Sequence, residues 1–230
     1  MAEPRKPSRL LPRATQDGIA CCTRRLRCSS SETDNSRVDP KAKIAPSARI
    51  VGNVSIGAHC YVDHGVVIAS SGPPIELDEG AIVFAGSVIR SVGGRSRPAF
   101  PVHIGARTLV SPLCSLVGCR IGQHCYIATG VIVLQGAILG DLARIGAGAI
   151  VHASTTLPDN VRVGMRNIAA PTEHGFISTA DVALARESVA AADFFETAFG
   201  TSEHDQARLH EDIASKLLEE VHGWDDEILA

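Results

Sequence analysis

Branched aliphatic residues recur along the chain at a step of six. From Val38 the step lands on Ile44, Ile50, Ile56, Val62 and Ile68. From Ile121 it lands on Ile127, Val133, Leu139, Ile145, Val151, Leu157 and Val163. Two shorter runs lie between, Leu77–Val83–Ile89 and Ile104–Val110–Leu116, and the join from Leu116 to Ile121 is one residue short. The fourth residue after each aliphatic is small or β-branched, as at Ala42, Ala48, Cys60, Val66, Cys125, Val131, Ala137, Ala143, Ala149 and Thr155. Glycine often follows the aliphatic directly, at Gly57, Gly105, Gly122, Gly140, Gly146 and Gly164.

A period of six fits neither a helix nor a hairpin meander. It predicts a parallel β-helix in which each hexad makes one flat side and three sides close a coil. The large aliphatic fills the prism, the small fourth residue sits near the corner, and the glycines are expected to supply unusual turn angles. Three hexads per coil give about seven coils from Val38 to about Ile168, interrupted by loops at Ser71–Glu76 and Gly93–Val102.

Beyond Pro171 the period changes. Ser178-Thr179-Ala180-Asp181 reads as a capping box opening a helix from Asp181 to Phe199, with Val189, Ala192, Phe195 and Phe199 on its apolar face. Gly200 ends it, and Ser202-x-x-Asp205 caps a second helix with Leu209, Ile213, Leu217 and Val221 on one face, stopped by Gly223. The expected organisation is a tail over 1–37, a β-helix over 38–171 and a helical appendage over 178–223. The appendage is too small for a core of its own and is expected to pack on the β-helix or on a neighbouring subunit.

Composition narrows the class. Apolar residues make up 45 % of 230 and charged residues 20 %, which excludes a wholly disordered chain. Aromatics are 4 %, so the core is aliphatic. A net charge of −3 argues against general nucleic-acid binding, and no run of 18 apolar residues spans a membrane. The basic tail, with seven Lys/Arg in its first 31 residues, fits an organellar transit peptide and fits equally a misassigned start; it is otherwise read as disordered. Cys21, Cys22 and Cys28 have no zinc-site spacing, while Cys60, Cys114, Cys119 and Cys125 fall in the repeat as expected buried thiols. Free thiols suit a reducing, cytoplasmic setting, with an organelle as the alternative.

The repeat resembles the left-handed β-helix superfamily, and left-handedness is implied by that resemblance. The runs IELDEGAIVFAGSVIRS, VHIGARTLVSPLCSLVGCRIG and YIATGVIVLQGAILGD are similar to the γ-class carbonic anhydrases, including their five-residue step at L-V-G-C-R-I-G. The resemblance covers roughly Lys41 to Pro171 and implies a trimer with sites between subunits. Active members hold zinc through three histidines, because neutral imidazole suits the metal and the bound water becomes the nucleophile. The matching positions here are Arg90, Pro112 and Val117, none of which ligates zinc by its usual chemistry. The family's Gln-Asp pair falls on Phe84 and Ala85, and its Arg and Asp near Ile68 and Ser70.

The remaining histidines give outside candidates only. His64 shares a column with Pro112, and His152 one with Arg90 and Val117, each displaced by about two coils. His59 and His124 fall on the solvent side, and His103 and His174 have no partner visible in sequence. The first expectation is a zinc-less carbonic-anhydrase-like homotrimer, with no cofactor and no nucleic-acid or membrane partner. It binds or converts a small anion at the subunit interface, where Arg90 could receive it. Whether it is catalytic is open. A second reading is a CoA-dependent acyltransferase, which usually needs a His base on an inserted loop; the loop here has Arg95 and Arg97 but no His before His103. A third is a non-catalytic structural subunit, like the small β-helix subunits of dynactin.

Overall fold

The computed structural model describes residues 36–94, 97–191, 194–200, 209 and 211–217. The chain divides at Ser30/Ser31, and the described residues all belong to the second unit. Of the expected tail over 1–37, residues 1–35 lie outside the described residues, as do the start of the second helix and its end beyond Leu217, while Arg37 already belongs to the first strand.

The hexads build three parallel sheets. Face 1 has seven strands from Arg37–Val38 to Thr156–Leu157, and face 2 seven from Lys43–Ile44 to Arg162–Val163. Face 3 has seven parallel strands from Arg49–Val51 to Ile168–Thr172, plus one more, Gly175–Thr179. Seven coils result, as the period predicts. Register partners lie 18 residues apart where hexads are complete (Arg37↔Ser55, Arg120↔Ile138). The spacing grows to 21 across the first loop (Tyr61↔Ile82) and 27 across the second (Leu109↔Ile82), then falls to 17 across the short join (Leu109↔Tyr126). Loops therefore leave the column without shifting it, and the predicted aliphatics stay inside except at the open first coil, where Val38 is exposed and Ile44 and Ile50 are half-buried. Ile68, Ile89, Leu116, Ile121, Ile127 and Ile145 are fully buried in one continuous core.

The corner residues explain the cysteines. The Cys60 thiol donates to the Asp78 carbonyl at 3.0 Å, Cys114 to Ala128 at 3.2 Å and Cys125 to Gly140 at 3.2 Å. Thr108, at the equivalent corner place, donates to Gly122 at 2.7 Å. Small side chains with a weak donor fit because the next coil's turn carbonyl points at them.

The role expected of the glycines is corrected. The left-handed backbone angle falls three residues after the aliphatic at many corners, at His59, Arg107, Leu113, His124, Leu142, Ser154, Asn160 and Arg166 as well as at Gly65, Gly86 and Gly130. The glycine directly after the aliphatic has another cause. A Cβ on Gly105 would lie 2.5 Å from the Gly122 carbonyl carbon and 2.6 Å from the Gln123 nitrogen, so it is there for close stacking of coils.

The loops and the C-terminal end also depart from expectation. The first loop is shorter than read, since strand resumes at Ile75. In the second, Phe100 folds back and exchanges backbone hydrogen bonds with Val92. The β-helix does not stop at Pro171: Ile168–Thr172 turns through Glu173 and His174 into the antiparallel strand Gly175–Thr179, which covers the edge of face 3. The capping box is replaced by a single cap, in which Asp181 Oδ1 accepts the Ala183 and Leu184 N–H groups at 2.8 and 3.4 Å. Helices α1 (Val182–Ala191) and α2 (Phe194–Phe199) follow. α1 packs on the terminal hairpin, Ala185 and Ala198 are buried, and Phe194, absent from the expected apolar face, stacks edge-on to His152 at 5.7 Å. Residues 211–217 are helical, and Lys216 Nζ donates to the Phe199 and Gly200 carbonyls at the end of α2.

Candidate functional site

Arg90 and Val117 are register partners on adjacent coils of face 3, each one residue past an inward aliphatic (Ile89 and Leu116). The same register runs Leu116↔Val133↔Val151, so the column continues through Leu134 to His152. Arg90, Val117, Leu134 and His152 are all half-buried. His152 lies two coils from Val117, about 10 Å at the strand spacing. Burial pushes its imidazole below the ordinary histidine range, its Nδ1 is buried with no hydrogen bond, and Phe194 covers the ring.

Pro112 belongs to the same coil as Val117 but to a different corner, between faces 2 and 3. Its neighbour Leu113 has φ 62° and is 67 % exposed. His64 heads the same corner column two coils away, and its Nδ1 is 2.8 Å from the Ser47 hydroxyl. One chain therefore joins Arg90 with Val117 and leaves Pro112 apart. Around the positions of the family's other polar residues, Phe84 packs edge-on to Tyr61 at 6.3 Å, Ile68 is core, and the Ser70 hydroxyl donates to the Pro73 carbonyl. Asp63, nearby on face 2, accepts the His64 N–H at 2.7 Å and the Tyr61 hydroxyl at 3.1 Å, and these bonds hold its carboxyl below the usual range.

A three-histidine zinc site does not fit these residues. A guanidinium is cationic and has no lone pair to give, and proline and valine side chains have no donor atom. Among the described residues, no three His, Cys, Asp or Glu side chains are grouped to hold a metal ion. His59 and His124 are exposed at left-handed corners, and His174 is exposed in the hairpin turn.

His103 does have a partner, which the sequence reading missed. Its Nε2 lies 3.1 Å from Asp78 Oδ2, while its Nδ1 is buried and unbonded. The pair opens a groove on face 1 whose other wall includes Arg120, Gln123, Asp141 and Asp159. The two residues share no hexad column, which hides this proximity in sequence: Asp78 follows Leu77, whereas His103 precedes Ile104, the register partner of Leu77.

Residues 118–153 match the bacterial transferase hexapeptide model of six repeats. The coil is a left-handed hexapeptide-repeat β-helix. This hexapeptide-repeat chain is 26 % identical over 103 residues to the mitochondrial γ carbonic anhydrase 1 of Arabidopsis thaliana. The match spans 44 % of the chain and 38 % of that relative. Among solved structures it is similar to a hexapeptide transferase family protein of Anaplasma phagocytophilum (20 % identity, 79 % of this chain and 90 % of that one, TM-score 0.48). It is also similar to the UDP-N-acetylglucosamine O-acyltransferase of Moraxella catarrhalis (17 % identity, 83 % and 92 %, TM-score 0.45). No helix among the described residues is long and apolar enough to cross a membrane.

Proposed function

We propose that the protein is a γ-carbonic-anhydrase-like homotrimer that receives a small anionic molecule at Arg90 without a three-histidine zinc site. The observation that carries this reading is the register pairing of Arg90 with Val117, with Pro112 held at another corner of the same coil. The three positions meet only if a second copy brings its Pro112 to the Arg90–Val117 corner, which is why the reading requires an oligomer. In that cleft the guanidinium offers a planar fork to a carboxylate or carbonate, between the apolar Val117 and Pro112. Either a cytoplasmic or an organellar setting is compatible with this role, and a fluorescent fusion of the full chain decides between them.

Acyl transfer is the weaker reading. A general base needs a nitrogen within reach of the acceptor proton. His103 has Nε2 directed at Asp78 and Nδ1 buried, so neither nitrogen faces a substrate in this arrangement.

The test has two arms. Light scattering should give about three times the 24.2 kDa chain mass. Titration with bicarbonate and acetate should give saturable binding in the unmodified protein, and Arg90→Gln should abolish it while the trimer persists. A monomer, or anion binding unchanged in Arg90→Gln, contradicts the proposal.

A further inference from the structure

Face 2 carries a column of outward residues that changes character along the β-helix. Tyr126, Arg144 and Arg162 occupy it on three successive coils, as direct register partners Tyr126↔Arg144 and Arg144↔Arg162. All three are exposed, and the column spacing is about 4.8 Å. Like charges placed directly opposite one another on neighbouring strands are destabilising unless something neutralises them. Among the described residues neither arginine makes an ion pair or a side-chain hydrogen bond. The nearest carboxylates along the chain are committed elsewhere. Asp141 accepts the Gln123 N–H at 3.0 Å and the Gln123 side-chain amide at 2.9 Å, and Asp159 accepts the Asp141 N–H at 2.8 Å. Arg166, exposed at the corner after Arg162, adds a third cation to the cluster. In a chain of net charge −3 this is a local concentration of positive charge without its counter-charge.

We infer that the Tyr126–Arg144–Arg162 column is a binding site for a soluble diphosphate-bearing ligand. Two guanidinium forks one strand spacing apart match two phosphoryl groups joined by one bridging oxygen, each fork donating to a separate phosphate. The Tyr126 hydroxyl, at the head of the column, is a further donor for the ligand, and its ring is a face on which an attached planar group can stack. The repulsion between Arg144 and Arg162 makes the bare face less stable and is relieved when the anion binds. The site uses none of Arg90, Val117 and Pro112, so it stands or falls separately from the interfacial site.

The experiment is calorimetric titration of the full-length protein with inorganic pyrophosphate, alongside sulfate and inorganic phosphate, at low and at physiological salt. Saturable binding is expected, tighter for pyrophosphate than for either single anion. Arg144→Gln and Arg162→Gln should each weaken it about tenfold, as expected for loss of charge-assisted hydrogen bonds. Both variants should melt, without ligand, no lower than the unmodified protein, because each removes a repulsion. Three results overturn the inference: equal affinity for all three anions, pyrophosphate affinity unchanged in the double variant, or a lowered ligand-free melting point in either variant. Binding only to vesicles of phosphatidic acid and not to pyrophosphate overturns it as well, since the surface would then read a lipid interface.

Discussion

Gly105 stacks against the backbone of Gly122 on the next coil so closely that it has no room for a side chain, and Gly122 in turn stacks as closely on Gly140 and Asp141 of the coil after. A Cβ on Gly105 would come within 2.5–2.7 Å of backbone atoms of Gly122 and Gln123, and backbone cannot rotate aside as a side chain can. Gly105→Ala should therefore cost about 2 kcal/mol or more through overpacking. Urea unfolding measures it, and an unchanged midpoint would show that the coils are further apart than described.

Leu142 has the opposite problem. It holds φ 60° while its side chain is 48 % exposed, so it bears a left-handed backbone with little packing in return. Leu142→Gly should raise stability by about 1 kcal/mol, the strain that a Cβ adds in that region. A loss of stability would mean that the leucine is covered by another surface.

The aliphatic ladder was legible because the prism interior admits only one kind of residue at one step, and loops leave the column without changing its register. Ile68↔Ile89 and Leu116↔Val133 show this across a break and across the short join alike. The left-handed corners were not legible, because half of them are occupied by residues such as His124 and Arg166 that carry no sign of their backbone angle. The terminal hairpin was hidden by Pro171, read as a stop. It pairs with Phe176, which packs against the core and closes the last coil. The Arg90–Val117 pairing could be read from the hexad count, since both sit one place after an inward aliphatic, whereas Asp78–His103 could not, since Asp78 follows Leu77 while His103 precedes its partner Ile104 and the two share no hexad column.

Burial keeps the repeat-region thiols protonated. Cys119 is pushed up to about 12, and burial raises Cys60, Cys114 and Cys125 too. Since the thiolate is the reactive form, these four should be silent to a thiol reagent at pH 8 until the protein unfolds. No label on any of these four in the native protein, located by peptide mass, is the expected result. Rapid native labelling of Cys119 would contradict the core as described.

Asp141 should make the protein acid-sensitive. The Gln123 side chain and then the Gln123 N–H hold its carboxyl below the usual range. A carboxyl with a lowered folded-state pKa stabilises above its unfolded value, and that contribution is lost as pH falls through the folded value. Asp141→Asn should melt below the unmodified protein at pH 7, with the difference shrinking toward pH 3. A gap of constant size would assign the effect to packing.

His152 should couple pH to the docking of α2. Its imidazole is shifted down by burial against Phe194, so the neutral ring supports the fold above the ordinary histidine value and that support is lost as pH falls through the folded value. Proteolysis of the C-terminal helices should accelerate between pH 7 and pH 5 in the unmodified protein and not in His152→Leu. Equal acceleration in both would place the sensitivity elsewhere.

The central claim, an interfacial site that works without three-histidine zinc, is tested most directly by elemental analysis of the protein purified from zinc-supplemented cells. Arg90, Pro112 and Val117 predict no stoichiometric zinc. The triple variant Arg90→His, Pro112→His, Val117→His should acquire zinc if those positions converge between subunits. One zinc retained per subunit by the unmodified protein would contradict the account and turn attention to His64 and His152 as ligands.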